Sequence, residues 1–220
     1  TGLCDTLLIR TYNKLTLEIP RCRGFAGSLR PEGETAMTTA IAYNDNKFCE
    51  LLVHVAYESA GDLNFGKTKL NKILYYIDFA AYRSLGAPVT GATYQRRPYG
   101  PVPKEIPTAR AKLVAAGALG LEVTDRFGFR QERFVAIRRP DVSVFSAPEM
   151  QIIEDVLTEL RDMNGKDVSD LSHQAVGWRV ARDNEVIPYV SAFLDPNQDF
   201  TSDEIIRAQE IYAELQGAAA

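Results

Sequence analysis

The chain has 220 residues, of which 45% are hydrophobic and 25% are charged, as in an ordinary globular protein of one domain with appendages or of two very small domains. No apolar run approaches the roughly 18 residues of a membrane-spanning helix, which argues against a membrane protein. The three cysteines lack the spacing of a disulfide framework or a zinc site, and no secretory signal is visible, so we expect a cytoplasmic protein without metal or cofactor.

The net charge of -4 combines a basic middle with an acidic end. Residues 65–139 contain 14 Lys or Arg against 5 Asp or Glu, whereas residues 140–220 contain 5 against 16. Opposite charges attract each other within a fold as well as between molecules. The basic part therefore either pairs with the acidic part or meets an anionic partner, and the sequence leaves both open.

The first segment differs from the rest of the chain. The stretch from Arg21 to Glu34 is rich in Gly, Arg, Pro and Glu and shows little periodicity, and a strand pair is predicted only between Leu7 and Ile19. We therefore interpret residues 1–36 as a loosely ordered N-terminal extension and residues 37–220 as the domain.

Two helices come next. The first begins near Asn44, carries apolar residues at helical spacing and stops at Gly61. The second extends from about Lys67 to Leu85 and is apolar on nearly all sides, which is typical of a helix in the centre of a domain. It begins with Lys67, Lys69 and Lys72, although the positive end of a helix disfavours cations. Either an acidic group offsets this cost or the lysines are kept for a partner.

The middle of the chain contains short elements. An extended stretch from Val89 to Gln95 leads into a Pro/Gly turn from Pro98 to Pro103. A helix from about Thr108 to Ala116 follows, and then a β-hairpin of Leu119 to Thr124 and Phe129 to Ile137. Three helices followed by a hairpin predict an α+β, mostly helical fold with a winged-helix-like core and additional C-terminal helices.

The C-terminal part is predicted to be helical. The sequence SAPE at residues 146–149 is a capping box before a helix whose apolar residues extend from Ile152 to Leu160. A short helical region surrounds Leu171 to Val180. The sequence TSDE at residues 201–204 repeats the capping-box signature before a final helix that ends near Leu215.

Residues 61–68, with the sequence GDLNFGKT, satisfy the phosphate-binding pattern G-x-x-x-x-G-K-[ST]. In that motif, backbone amides and the lysine cradle phosphates, and the loop follows a buried strand. Here an amphipathic helix is predicted before the loop, and no later βαβ units are visible. A P-loop nucleotide-binding protein is therefore our third hypothesis.

The first two helices also suggest a DNA-binding helix-turn-helix, with the lysines near the start of the recognition helix. Five arginines would line a DNA-facing wing: Arg96, Arg97, Arg126, Arg130 and Arg133. However, the turn is longer than the usual length of roughly three to four residues, and the second helix is too apolar to lie in a groove. A winged-helix-type DNA-binding regulator is therefore our second hypothesis.

Residues with catalytic potential are sparse. The two histidines, His54 and His173, have no nucleophile or paired carboxylate near them in the sequence, and we interpret them as packing or hydrogen-bonding residues. No catalytic residue is predicted, and we expect that the chain is not an enzyme.

A series of motifs extends from the second helix into the C-terminal part. It includes KLNKILYYID at residues 69–78, then Tyr82, Gly86, Pro88, Thr90, Gly91 and Tyr94, YGPV at residues 99–102, LSH at residues 171–173, Trp178, and Ile187 with Pro188. The series resembles the Panacea domain of SocA-like antitoxins, over about residues 44–189. The resemblance implies a mostly helical domain with a small β element, found in bacteria and phages, that neutralises a cognate protein toxin by binding it. One branch of the family implies a proteolytic adaptor that delivers the toxin to the ClpXP protease.

The resemblance also implies a set of motif residues. They are Lys69, Asn71, Lys72, Tyr75, Tyr76, Asp78, Tyr94, Gly100, Pro101, His173 and Trp178. We expect Gly100 and Pro101 to fix a turn, and Tyr75 and Trp178 to pack. The polar members within the apolar second helix are the better candidates for a hydrogen-bond network or a partner site.

We expect the toxin to dock on the basic middle of the chain. The expected contact residues are Lys69, Lys72, Arg96 and Arg97, together with Tyr76, Tyr94 and Tyr99. Tyrosine and arginine are enriched at interface hot spots, and positive charge would accelerate encounter with an acidic toxin face. The alternative is that these basic residues pair with the acidic C-terminal half of the same chain.

Overall fold

The computed structural model describes residues 41–126 and 129–194. The predicted N-terminal extension, the tip of the hairpin and the predicted final helix lie outside the described residues. The described part contains six α-helices: α1 Asp45–Glu58, α2 Lys67–Leu85, α3 Ile106–Ala115, α4 Ala147–Leu160, α5 Gly165–Ser172 and α6 Val176–Val180. It also contains two 3₁₀ helices and four strands: Val142–Val144 and Tyr189–Phe193, and β1 Tyr94–Gln95, β2 Val102–Pro103, β3 Leu119–Arg126 and β4 Phe129–Ala136.

The strands form two separate two-stranded antiparallel sheets, β1 with β2 and β3 with β4. The predicted α+β, mostly helical class is confirmed, and three helices precede the long hairpin as expected. The likeness of this core to a winged helix stays a prediction. Among the described helices, none combines the length and the apolar character needed to cross a lipid bilayer.

Helix α2 lies in the centre of the domain, as its all-round apolar pattern predicts. It contacts α1, α4, α5, β2, β4 and the second 3₁₀ helix. Most of its apolar side chains are buried, and Leu70, Leu74 and Ile77 are fully buried. Burial of each such side chain contributes about 1.5–3 kcal/mol to folding. The other elements are thus arranged around α2 by the burial of its surface.

Helices α1 and α4 are fixed at their N-termini by local capping. The Asn44 side chain accepts a hydrogen bond from the Lys47 amide, which begins α1. Ser146 and Glu149 form the predicted capping box of α4. The Glu149 carboxylate also pairs with the Lys47 ammonium at 2.7 Å, so one acidic residue caps α4 and ties it to α1.

Three element boundaries differ from the predictions. Helix α3 begins at Ile106, because Pro107 occupies its first turn, where a missing amide hydrogen costs nothing. The helical region predicted around Leu171 to Val180 is two helices, and a capping box of Asn164 with Asp167 begins the first of them earlier. The predicted Pro/Gly turn includes β2, whose pairing with β1 turns this segment into a short hairpin.

Residues 61–68 do not meet the structural requirement of a P-loop. The segment connects α1 to α2, so a helix stands where the motif needs a strand. A cleft of about 490 Å³ beside it is lined by Glu58, Asp62 and Asp162, among other residues. Arg161 also lines this cleft, and the segment is a connection between two helices.

Arg133 on β4 joins the long hairpin to the end of α1. Its guanidinium donates to the carbonyl oxygens of Ser59 at 2.9 Å and Asp62 at 3.2 Å, and to that of Ala60. These carbonyls belong to the connection that follows α1, and those of Ser59 and Asp62 also accept the backbone amides of Asp62 and Phe65. One of the five arginines considered for a DNA-facing wing is thus occupied within the fold.

We predict that Arg133→Ala lowers the free energy of unfolding by about 2–3 kcal/mol, because the carbonyls at the end of α1 lose charged donors. Urea denaturation measures this change. The matched control is Arg139→Ala, since the Arg139 side chain is exposed. A loss no larger than that of the control would contradict the role of Arg133 in holding the hairpin.

Candidate functional site

A tight turn between β1 and β2 brings the sequence motifs together. The amide of Gly100 donates to the carbonyl oxygen of Arg97 at 2.9 Å, which closes a β-turn with Pro98 at its second position. The pairing of Tyr94 with Pro103 closes the base of the loop. We call residues 96–101 the 96–101 turn.

Two buried side chains hold the C-terminal half of the 96–101 turn by its carbonyl groups. Lys72 on α2 donates from Nζ to the carbonyl oxygen of Pro101 at 3.3 Å. Ser169 on α5 donates from Oγ to the carbonyl oxygen of Tyr99 at 2.9 Å. Helices far apart in the sequence therefore restrain neighbouring peptide groups of one turn.

Trp178 and His173 hold the N-terminal half. Trp178 on α6 donates from Nε1 to the carbonyl oxygen of Arg97 at 3.2 Å, and the His173 ring is hydrogen-bonded to the backbone of Pro98. The imidazole stacks on the indole with ring centroids 4.0 Å apart, and the Arg96 guanidinium lies 4.5 Å from the indole centroid. Trp178 thus combines the predicted packing with a hydrogen bond to the turn.

Gly100 is required by both its conformation and its surroundings. Its φ of +96° lies in the region that favours glycine. A Cβ atom at this position would lie 2.2 Å from Ser172 Oγ and 2.6 Å from Lys72 Cε. The prediction that Gly100 fixes a turn is confirmed, and the turn lies directly against α2 and α5.

The outer side of the 96–101 turn is exposed and polar. The Tyr99 side chain is 74% exposed, the largest value among the exposed large hydrophobic residues of the described part. Arg97 donates to the Asn184 side chain, and Arg96 forms an ion pair with Asp183. Both arginines thus contact the acidic C-terminal part, as the internal-pairing alternative expects.

The family comparison covers this arrangement. The family model described as antitoxin SocA-like, Panacea domain, matches residues 70–179, which is half of the chain. The chain belongs to the SocA-like antitoxin family. The matched range contains the whole 96–101 turn and the side chains that hold it, Lys72, Ser169, His173 and Trp178. No curated protein and no solved structure matches the chain.

Lys69, which immediately precedes the matched range, is compensated for its place at the start of α2. Its Nζ donates to Asp62 Oδ2 at 2.6 Å and to the carbonyl oxygens of Arg161 and Met163 at 2.7 Å each. The carboxylate of Asp62 offsets the cost of a cation at the start of a helix. Lys69 is 1% exposed, so it joins α2 to the end of α4 and does not lie on a surface.

Lys72 lies one turn further along α2 and is bonded differently. It is also 1% exposed, but its hydrogen bond to Pro101 is the one bond of its ammonium to the described residues. Burial lowers the pKa of Lys72 to about 7. The charged form is therefore strongly disfavoured at this position.

Asp78 organises the segment that leads into the 96–101 turn. Its buried carboxylate accepts hydrogen bonds from the Thr90 amide at 2.7 Å, the Thr90 hydroxyl, and the hydroxyls of Tyr94 at 2.8 Å and Tyr189 at 3.3 Å. Burial raises the pKa of Asp78 to about 6, against the effect of these donors. The network fixes the backbone before β1 to the middle of α2.

Aromatic rings pack around this network. Tyr75 lies with its ring centroid 4.1 Å from that of Phe79 and 5.5 Å from that of Tyr94, which confirms the prediction that Tyr75 packs. Tyr76 is partly buried beside Tyr75. Asn71 is buried, and its Oδ1 has no hydrogen-bond partner in the described part of the chain.

The predicted docking surface is therefore partly wrong. Lys69, Lys72 and Tyr94 are each 1% exposed, so their side chains are unavailable to a partner. Tyr99 and Arg97 are exposed, while Arg96 and Tyr76 are partly exposed. The predicted site residues do not include Ser169, Thr90 and Tyr189. Thr90 belongs to the motif series, whereas the isolated hydroxyl groups of Ser169 and Tyr189 carry no local pattern that distinguishes a buried donor from a surface residue.

We predict that Gly100→Ala lowers the free energy of unfolding by about 2–3 kcal/mol, because a Cβ atom adds backbone strain and a clash against Ser172. Urea denaturation followed by Trp178 fluorescence measures stability and the state of the turn together. Gly61→Ala is the control, since a Cβ atom there meets nothing within 4 Å. Equal effects of the two variants would show that the close approach at Gly100 is unimportant.

We predict that Lys69→Met lowers the free energy of unfolding by about 2–3 kcal/mol, because a partly buried carboxylate and two carbonyl groups lose a charged donor. Denaturant unfolding monitored by circular dichroism measures the loss. Lys67→Met is the control, since Lys67 is half exposed and lies 3.5 Å from Glu132. If Lys69→Met behaved like this control, the buried bonds of Lys69 would not matter to the fold.

Proposed function

We propose that this protein is an antitoxin that neutralises a cognate protein toxin by direct binding, with the exposed side of the 96–101 turn in the contact. The observation that carries this proposal is the convergence of Lys72, Ser169, His173 and Trp178 on one turn. These residues restrain the backbone of the turn, while the side chain of Tyr99 in that turn is 74% exposed.

A restrained loop with an exposed aromatic side chain favours binding for two reasons. A loop that is already ordered loses little conformational entropy when a partner binds. Tyrosine supplies a large contact area with a polar tip, and it is enriched among residues that dominate interface energies. The exposed ring of Tyr99 is accessible to a partner without any rearrangement of the turn.

Charge has a smaller part in this proposal than the sequence suggested. Arg96 and Arg97 are already bonded to Asp183 and Asn184. These bonds orient the arginines at the edge of the turn and reduce their attraction for an acidic partner. We therefore propose Tyr99 as the central contact and Arg97 as a contact at the rim.

The remaining parts of the proposal come from the family and from the sequence. We propose that this antitoxin acts without catalysis and, as the resemblance to one branch implies, delivers its toxin to a ClpXP-type protease; a cytoplasmic location is proposed from the cysteine pattern. The positions of the histidines support a non-catalytic role: His54 is buried within α1, and His173 stacks on Trp178. A DNA-binding role receives less support, because Arg133 is bonded to the end of α1 and Arg96 to Asp183.

We predict that Tyr99→Ala weakens toxin binding by about 30-fold or more, the loss typical of a hot-spot residue, while the melting temperature stays unchanged. The test uses the protein encoded by the neighbouring gene as the toxin, with pull-down affinity and growth rescue as measurements. Tyr57→Ala is the control, because Tyr57 is a partly exposed tyrosine on α1, outside the turn.

Arg97→Glu provides a second measurement at the same site. A rim charge changes association rate more than affinity, so a smaller loss than that of Tyr99→Ala is expected. Unchanged rescue in both variants, or a loss of rescue that follows a loss of folding, would overturn the placement of the contact at this turn.

A further inference from the structure

Two buried lysines on α2 form a natural comparison. Lys69 and Lys72 are three residues apart on the same helix, and each is 1% exposed. The Lys69 ammonium has three oxygen acceptors within 2.7 Å, one of them a carboxylate. The Lys72 ammonium has the carbonyl oxygen of Pro101 at 3.3 Å as its acceptor among the described residues. Only the first of these lysines is well compensated for its burial.

Lys72 therefore makes the fold less stable than an apolar side chain of similar length would. Burying an ammonium group without a counter-charge is unfavourable, and one long hydrogen bond offsets little of that cost. A methionine has nearly the same length and shape and carries no charge into the interior. The lysine is thus poorly explained by the stability of the core.

The surroundings of Lys72 indicate what it does. A Cβ atom on Gly100 would lie 3.0 Å from Lys72 Nζ and 2.6 Å from its Cε, so the end of the side chain lies directly beneath the turn. Its acceptor, Pro101, is the residue at which the turn rejoins β2. The ammonium therefore acts on the backbone of the turn at its junction with the sheet.

We propose that Lys72 is a positioning residue for the toxin contact: its buried amine holds the Pro101 carbonyl and thereby the conformation of the 96–101 turn, and it does so at a cost in fold stability. This inference rests on the proposed function of the turn. It adds that Lys72 stabilises the conformation of the turn and at the same time lowers the stability of the fold.

The charged groups around this site are few. His173 lies at the end of α5, and both its own burial and the charge of Lys72 lower its pKa. Asp170 on α5 and Arg96 in the turn also act on His173. On α2, Lys69 is bonded to Asp62 and Asp78 to Thr90, away from the turn. The described neighbours thus provide no carboxylate that pairs with Lys72.

The turn contains its own reporters. Trp178 is the single tryptophan of the 220 residues, and its indole donates to the turn carbonyl of Arg97. The Gly100 amide closes the turn, so its hydrogen-exchange protection measures how often the turn opens. Both signals can be read from the full-length chain without any toxin.

The experiment compares the full-length wild type with Lys72→Met. We expect the melting temperature of the variant to rise by about 2–4 °C or more, because the cost of the buried charge is removed. We expect exchange protection of Gly100 to fall about tenfold, as one charge-assisted hydrogen bond is lost, and the Trp178 emission to shift to the red. Affinity for the product of the neighbouring gene should fall about tenfold as well.

A pH series separates positioning from a purely structural role. The ammonium is charged below its pKa of about 7 and neutral above it, and the charged donor bonds more strongly. The difference in Gly100 protection between wild type and Lys72→Met should therefore be larger at about pH 6 than at about pH 8.5. The stabilising effect of Lys72→Met should also be larger at about pH 6 than at about pH 8.5. The pKa of Lys72 is lower in the folded chain than in the unfolded chain, so the wild type becomes more stable as the pH rises above about 7.

The outcomes decide between the alternatives. A higher melting temperature with lower protection of the turn supports the inference. Unchanged protection of Gly100 overturns it. A lower melting temperature, with losses of Gly100 protection and a Trp178 shift that follow from general unfolding, overturns it as well. If the wild type does not bind the candidate toxin, the proposed function fails for that partner, while the exchange and fluorescence measurements still decide the role of Lys72.

Discussion

The burial of polar side chains on the central helix α2 determines how the rest of the domain is arranged. Most buried polar groups are hydrogen-bonded, and three buried polar side chains of α2 have their partners in other segments. Lys69 bonds the end of α4, Lys72 bonds the 96–101 turn, and Asp78 bonds the segment before β1. One helix therefore orders three connections that have little secondary structure of their own.

Sequence patterns predicted the elements whose signals are local. The apolar spacing of α1 and α2 and the capping box at Ser146 depend on residues within a few positions of each other, and the structure has them. The division of the C-terminal helical region was missed, although the capping box of Asn164 with Asp167 was visible. Helix α5 has eight residues, of which Val168 and Leu171 are its large apolar ones, and so few positions show no clear helical periodicity.

The site was harder to predict, because its contacts join distant parts of the chain. Lys72 and Pro101 are 29 residues apart, and Lys69 and Met163 are 94 apart. Family motifs identified Lys72, Gly100, His173 and Trp178, but spacing alone does not show that they meet at one turn. For the same reason, Lys69 and Tyr94 were wrongly predicted to lie on the toxin-binding surface, although their side chains are buried.

Lys69 and Lys72 on α2 both occupy positions that are unfavourable for a cation. Lys69, in the first turn, conflicts with the positive end of the helix, and both lysines conflict with burial. At Lys69, the neighbouring Asp62 compensates for the conflict, so the residue is explained by the fold. No carboxylate among the described residues pairs with Lys72. Its buried amine is therefore uncompensated, and it lies beneath the turn that presents the exposed side chain of Tyr99. Because natural sequences tend to be locally consistent except where function intervenes, the uncompensated lysine is the stronger indication of a functional site.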